Sequence, residues 1–240
     1  LFRSMINIII PARLKSKRFP AKPLAKILDV PMVIRVARIC QKVLPKNNIY
    51  VATDSKKIGK LVEEYGYKYV LTSSKCLTGT DRIAEASKKI KGNIFINVQG
   101  DEPMVKPDDI KKIIKAKFKN KTKVICGYNK ILSVADIKSR SVPKVVFNEK
   151  NELIYISRSP VPGSKYDLKK YFRQVCIYGF NRQELKLFSS FKKKSTVEWT
   201  EDIELLRFFE TSKKIHMVKL SNNSIAVDYP SDIKKVEKLI

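Results

Sequence analysis

Residues Ile6 to Ile10 form a short apolar run, interrupted only by Asn7 and closed by Pro11. Four isoleucines in five residues, with Ile8, Ile9 and Ile10 consecutive, leave no wholly polar face for water, so the run is expected to be a strand buried on both sides. Such a strand belongs in a parallel sheet with helices packed on both faces. The next hundred residues supply those parts in turn. Met32 to Val43 has helical spacing, with Pro31 near its start. Ile49 to Thr53 reads as a strand, Lys56 to Tyr65 as a helix and Tyr67 to Leu71 as a strand. Asp81 to Ile90 reads as a helix, Ile94 to Val98 as a strand and Asp108 to Phe118 as a helix. Strands and helices alternating at short spacing imply βαβ units.

The middle of the chain changes character. Val124 to Tyr128, Lys144 to Asn148, Leu153 to Ser157 and Gln174 to Phe180 are strand-like with few helices between them. They are expected to be antiparallel strands that either join the sheet or form a subregion, roughly residues 124–180. A helix over Glu201 to Thr211, a strand over Ile215 to Lys219 and a helix over Pro230 to Leu239 close the chain. No internal repeat and no Gly/Ser-rich linker is visible, so residues 5–240 are expected to form one domain. The expected fold is α/β, with a mostly parallel Rossmann-like sheet and an antiparallel β subregion. Met5 is a candidate natural start, with residues 1–4 an added remnant.

The formal net charge of +27 is the outlying number in the composition. It raises nucleic-acid or membrane-surface binding as alternatives. The lysines, however, are spread along the whole chain, and no stretch interleaves Arg with aromatics as a single-strand binder would. A lysine-rich solvated surface is the preferred reading, and its field would still attract anionic substrates. No nucleic-acid or membrane partner is expected. No apolar run reaches the ~18 residues of a membrane span. Among the four cysteines there is no C-x-x-C pair, and His216 is the only histidine, which argues against zinc. Cys126 and Cys176 lie in apolar runs and are expected to be buried thiols, which suits a reducing, cytoplasmic compartment.

Ligands of open α/β sheets bind beyond the carboxyl ends of the strands. Three polar segments stand there. The first, Pro11 to Leu24, carries Arg13, Arg18 and Lys22 in one loop. Planar guanidinium forks and a mobile ammonium suit phosphate oxygens and the charge on a leaving pyrophosphate. A solvated basic loop is the competing explanation. The second is Asn97-Val98-Gln99-Gly100-Asp101-Glu102-Pro103, which puts a carboxylate just past an apolar strand. The third is Ala226-Val227-Asp228-Tyr229-Pro230. Asp228 is a candidate cap for the last helix, as is Ser231. Asp101 and Asp228 together are candidates to hold magnesium (Mg2+). The P-loop motif G-x-x-x-x-G-K-[ST] is absent, and so is G-x-G-x-x-G. No D-x-D follows a strand, which weakens a glycosyltransferase reading.

The first loop matches P-A-R-x-x-S-x-R-x-P-x-K-P-L, a signature of sugar nucleotidyltransferases that use CTP. Further motifs follow in order. They are Val51-Ala52-Thr53-Asp54, then Thr78-Gly79-Thr80-Asp81-Arg82-Ile83-Ala84-Glu85, then the Asp101 segment, Lys144-Val145-Val146, Ser157-Arg158-Ser159-Pro160-Val161-Pro162, Ile177-Tyr178-Gly179, Lys214-Ile215-His216 and Val227-Asp228-Tyr229-Pro230-Ser231-Asp232. From Met5 onward the chain resembles the 3-deoxy-manno-octulosonate cytidylyltransferases, or CMP-Kdo synthetases. CMP-neuraminate synthetases share only the first loop and the general fold.

The resemblance implies a nucleotidyltransferase fold and transfer of CMP from CTP to Kdo, a sugar acid used in lipopolysaccharide precursors. The sugar's anomeric hydroxyl would attack the α-phosphorus and release pyrophosphate. Arg13 and Lys22 would contact the CTP phosphates with Arg18 in support, and Arg13, Lys22 and Asp101 would carry the catalysis. Thr78, Gly79, Thr80 and Gln99 would line the nucleotide site. Asp101 and Asp228 would ligate magnesium. Arg158, Gln174 and Glu204 would face the sugar. The middle β region would build a homodimer interface.

Two positions depart from the family pattern. Gln174 stands where the family has His, and Leu205 stands where it has Gln. Both belong to the sugar side of the family's pocket, and a lost polar contact to a hydroxyl shifts substrate choice strongly. A modified sugar acid, of amino-Kdo or nonulosonate type, is therefore the alternative acceptor. An α/β module that binds nucleic acid and a silent relative that only binds nucleotide are the more remote alternatives.

Overall fold

A computed structural model describes residues 6–16, 18–163, 165, 170–221 and 225–240. The candidate start at Met5 lies outside them. Strand β1 (Ile6–Ala12) runs through the middle of the sheet. Ile8 and Ile10 point into the apolar cluster on one face, and Ile9 points into the cluster on the other. β1 pairs in parallel with β4 (Ile49–Thr53) and β6 (Ile94–Val98), and β4 with β5 (Lys68–Leu71). The strand runs past Pro11 to Ala12, two residues further than expected. Its pairing with β6 has already ended at Ile9–Asn97, so Pro11 forfeits no ladder bond on that side. Gly100 is needed here, because a Cβ would sit 2.9 Å from the Pro11 carbonyl oxygen.

Helices α1 (Met32–Gln41), α2 (Lys56–Glu64) and α4 (Pro107–Lys119) cover the Ile8 face. Helix α3 (Gly79–Ser87) covers the Ile9 face, joined there by α6 (Arg182–Phe188). A two-residue pair of strands, β2 (Lys26–Ile27) and β3 (Val30–Pro31), precedes α1.

The middle strands do both things expected of them. β7 (Val124–Lys130) and β10 (Phe172–Asn181) enter the main sheet, whose order is β11-β7-β10-β6-β1-β4-β5. β10 is antiparallel to both β6 and β7, and β11 (Ile215–Lys219) is parallel to β7. β8 (Lys144–Phe147) and β9 (Leu153–Ser157) form an antiparallel pair that branches from β10.

The late helix differs from expectation. Helix α7 (Thr196–Glu201) ends one residue before Asp202, which takes a left-handed φ of 48°. A 3-10 segment then runs over Glu204–Thr211. Leu205, Leu206, Arg207 and Phe208 are all buried, a run wider than one helical stripe can bury. Three short helices escaped the periodicity reading, α5 (Val134–Lys138), α6 and α7. The last helix, α8 (Pro230–Glu237), begins as expected. Between α4 and α6 the buried Lys117 ammonium donates to both Glu184 carboxylate oxygens, at 2.8 and 2.7 Å. No helix among the described residues is long and apolar enough to cross a membrane.

Candidate active site at the carboxyl ends of the parallel strands

The basic loop, the β6 terminus and the segment before α8 meet around one ammonium group. Lys22 Nζ donates to Asp101 Oδ2 at 2.5 Å and to the Val227 carbonyl at 2.8 Å, and lies 3.8 Å from Asp228 Oδ1. The backbone fixes the same meeting, because the Val227 amide donates to the Asp101 carbonyl at 2.9 Å. Arg18 closes the outer side through an ion pair with Asp228 Oδ1 at 2.8 Å, its guanidinium 5.7 Å from the Tyr229 ring centroid. Neither Asp228 nor Ser231 caps α8. Asp232 does so by accepting from the Asp228 and Tyr229 amides at 3.1 and 3.0 Å. That leaves the Asp228 carboxylate directed at Arg18 and Lys22.

Asp101 and Asp228 form a hard, anionic oxygen pair with about a third of each side chain exposed. Magnesium typically takes one or two carboxylates and completes its shell with water and substrate phosphate oxygens. The pair fits that demand, and the Lys22 ammonium lies between the two carboxylates. Among the described residues no three or more His, Cys, Asp or Glu side chains gather as a fuller metal cage.

A second cluster adjoins the first through Gln99 and Pro11. Thr78 caps α3, its Oγ1 accepting from the Asp81 amide at 3.2 Å. A Cβ on Gly79 would touch Gln99 Nε2, Glu204 Oε2 and Pro11 Cγ at 3.5–3.6 Å, so these groups face one another across the glycine. The Thr80 amide donates to Glu204 Oε2 at 2.9 Å. Burial raises the Glu204 pKa, and the hydrogen bond from Thr80 offsets part of that rise. Arg13 stands exposed where β1 ends. The Asp202 carboxyl is held below its ordinary range, chiefly by the hydrogen bond from Lys194 and more weakly by the fields of Arg158 and Arg13.

The residues expected on the sugar side are less free. Arg158 donates through Nε to the Glu201 carbonyl and through its terminal nitrogens to the Arg140 and Asp202 carbonyls. Its guanidinium thus ties the end of β9 to the end of α7. Gln174, 8 % exposed, donates to the Tyr178 hydroxyl at 3.0 Å. Leu205 is fully buried in the apolar cluster with Leu206 and Phe208, so it presents no surface to a sugar. The expectation placed Leu205 on the sugar side of the pocket; its side chain packs into the core instead. Cys176, expected to be buried, is only partly so, while Cys126 is buried. Burial and the nearby Glu102, Glu204 and Asp101 carboxylates push the Cys176 thiol up to about 12.

Sequence reasoning passed over the supports of these loops. Arg207 is fully buried and makes two forked contacts. It bonds Asp81 at 2.6 and 3.1 Å and Glu198 at 2.7 Å twice, and it stacks 3.9 Å above Phe188. It links the 3-10 segment that bears Glu204 to the helix that bears the Thr78 turn. Asp54, just past β4, accepts from Arg82 and from the Leu14 amide, each at 3.1 Å. A carboxylate following an apolar strand was the available signal for Asp54, as it was for Asp101.

Comparison with known proteins identifies the family. Residues 7–215 match the model of the family described as cytidylyltransferase. The chain is 35 % identical to a 3-deoxy-manno-octulosonate cytidylyltransferase of a Nitratiruptor species, over 95 % of this chain and 97 % of that one. It is 36 % identical to an 8-amino-3,8-dideoxy-manno-octulosonate cytidylyltransferase of a Shewanella species, over 97 % of each. Among solved structures it is similar to CMP:2-keto-3-deoxy-manno-octonic acid synthetase complexed with CTP. The TM-score is 0.92, with 32 % identity and 98 % of each chain covered. With its motifs assembled at one end of such a sheet, the chain belongs to the 3-deoxy-manno-octulosonate cytidylyltransferase family and is a nucleotidyltransferase.

Proposed function

We propose that this enzyme transfers CMP from CTP to 3-deoxy-manno-octulosonate and releases pyrophosphate, with magnesium held by Asp101 and Asp228. The observation that carries the reading is the convergence of Lys22 and Arg18 on those two carboxylates at the strand ends. In the reaction the anomeric oxygen forms a bond to the α-phosphorus, the bond from that phosphorus to the bridging oxygen breaks, and the hydroxyl proton leaves to water. Positioning and charge neutralisation carry most of such a transfer. Lys22 and Arg13 offer cations to the phosphate oxygens, and Arg18 adds a third at the rim. The Thr78 turn, with Gly79, Thr80 and Gln99, offers a backbone surface to the nucleoside. Magnesium, when bound, would neutralise phosphate charge beside Asp101 and Asp228.

The relatives' names support an octulosonate as acceptor. Arg158, Gln174 and Glu204 are assigned to that side, with Glu204 the member nearest the nucleotide turn. Exposed Leu132, Val134 and Ile154 lie in or beside the middle β region and support a homodimer built there. Four free cysteines support a reducing, cytoplasmic location. The dispersed positive charge steers anionic CTP and needs no nucleic-acid partner. The test is a panel of Kdo, its 8-amino analogue and a nonulosonate, each with CTP or UTP, read by pyrophosphate release. Preference for CTP with Kdo is expected. Turnover with the amino sugar alone would reassign the acceptor, and no turnover with any 2-keto sugar acid would refute the reading.

A further inference from the structure

The Val51-Ala52-Thr53-Asp54 motif has no part in the clusters around Lys22 and Glu204, yet Asp54 stands between the segments that build them. Each oxygen of its carboxylate has its own partner. Oδ1 accepts from the Leu14 amide at 3.1 Å, and Oδ2 accepts from Arg82 Nη2 at 3.1 Å. The ion pair is largely shielded, with the Arg82 side chain 4 % exposed and that of Asp54 12 % exposed. Arg82 is further fixed by the Thr72 hydroxyl at 2.5 Å and lies one turn beyond Thr78 in α3. On the other side, Leu14 directly follows Arg13, and its carbonyl accepts from the Ala21 amide at 3.1 Å. Ala21 adopts a left-handed φ of 53° immediately before Lys22. Both ends of the basic loop therefore close on Leu14, and Leu14 is held by Asp54.

We propose that Asp54 is a positioning residue of the nucleotide site. Its pair with Arg82 fixes the loop bearing Arg13 and Lys22 against the turn of Thr78, Gly79 and Thr80. The inference rests on assigning those two segments to CTP. A charged acceptor makes a strong hydrogen bond to a backbone amide, and an acceptor that is itself pinned by a buried guanidinium cannot follow the loop outward. The loop is then held in place before CTP arrives, which lowers the ordering cost of binding. A role confined to neutralising Arg82 would not need the second oxygen on Leu14.

Asp54→Ala removes both contacts. Asp54→Asn keeps an acceptor for Leu14 but loses the charge. The two variants and Asp54→Ala/Arg82→Gln are assayed for KM of CTP, KM of the sugar acid, kcat and melting temperature. Asp54→Ala is expected to raise the CTP KM about tenfold and move the sugar KM by less than about twofold. Asp54→Asn should fall between it and wild type, and the double variant should be no worse than Asp54→Ala. If Asp54→Ala does not fold, Asp54→Asn carries the test, with the same rise confined to CTP. An unchanged CTP KM in a folded variant overturns the inference, and so do equal rises in both KM values. Wild-type protein that consumes no CTP would instead refute the functional reading itself.

Discussion

Lys22 Nζ lies 2.5 Å from Asp101 Oδ2, so the loop after β1 and the loop after β6 share one charge-assisted bond at the mouth of the sheet. The bond places a cation on the carboxylate proposed for magnesium. Asp101→Asn should therefore cut kcat by about a hundredfold or more, the scale seen on removing one preorganised electrostatic group. Its melting temperature should stay close to wild type, because the pair is partly exposed. Pyrophosphate assays beside thermal melts check both halves.

Arg18 makes a different kind of contact. Its pair with Asp228 is solvent-exposed, and such pairs contribute about 0–1 kcal/mol. Arg18→Ala should leave stability nearly unchanged and raise the KM for CTP, with the effect shrinking as salt increases. Kinetics at low and high ionic strength measure this.

Lys117 and Glu184 form a fully buried pair away from the nucleotide clusters. Removing one partner of such a pair strands the other charge and costs about 3–5 kcal/mol. Glu184→Gln should lower the urea midpoint accordingly while leaving the KM for CTP unchanged in the protein that remains folded. Denaturation and kinetics on the same preparation test the separation.

Glu204 supplies a pH dependence of defined sign. Burial raises its pKa from 4.5, so the folded state binds this proton more tightly than the unfolded state does. Stability from this group is present below about 4.5 and is lost as pH rises through the higher folded value. Glu204→Gln keeps an acceptor for the Thr80 amide and cannot ionise. Its stability relative to wild type should rise with pH across that window, as urea titrations at several pH values would show. A flat difference would contradict a raised Glu204.

The parallel half of the fold was legible because its strands are short, predominantly apolar runs. Ile49–Thr53 and Ile94–Val98 have the predicted ends. The cluster proposed for the phosphates was legible because Arg13, Arg18, Lys22, Asp101 and Asp228 all follow strands or precede a helix in short motifs. What periodicity could not show was pairing across the chain. Arg207 reaches Asp81 and Glu198 only after the 3-10 segment has folded onto α3. The break at Asp202 likewise depends on where Leu205 and Phe208 must bury. Helices α6 and α7 did carry a local signal in their capping boxes, Asn181 with Glu184 and Ser195 with Glu198. The residues proposed for the sugar were least legible, because Arg158 and Gln174 are committed to protein partners that no motif displays.

The most direct test of the account is product analysis with purified protein, CTP, Kdo and magnesium. Mass spectrometry should show CMP-Kdo forming with one equivalent of pyrophosphate, and the yield should collapse when magnesium is chelated. Intact CTP alongside correctly folded protein, or a product formed equally well without magnesium, would contradict it.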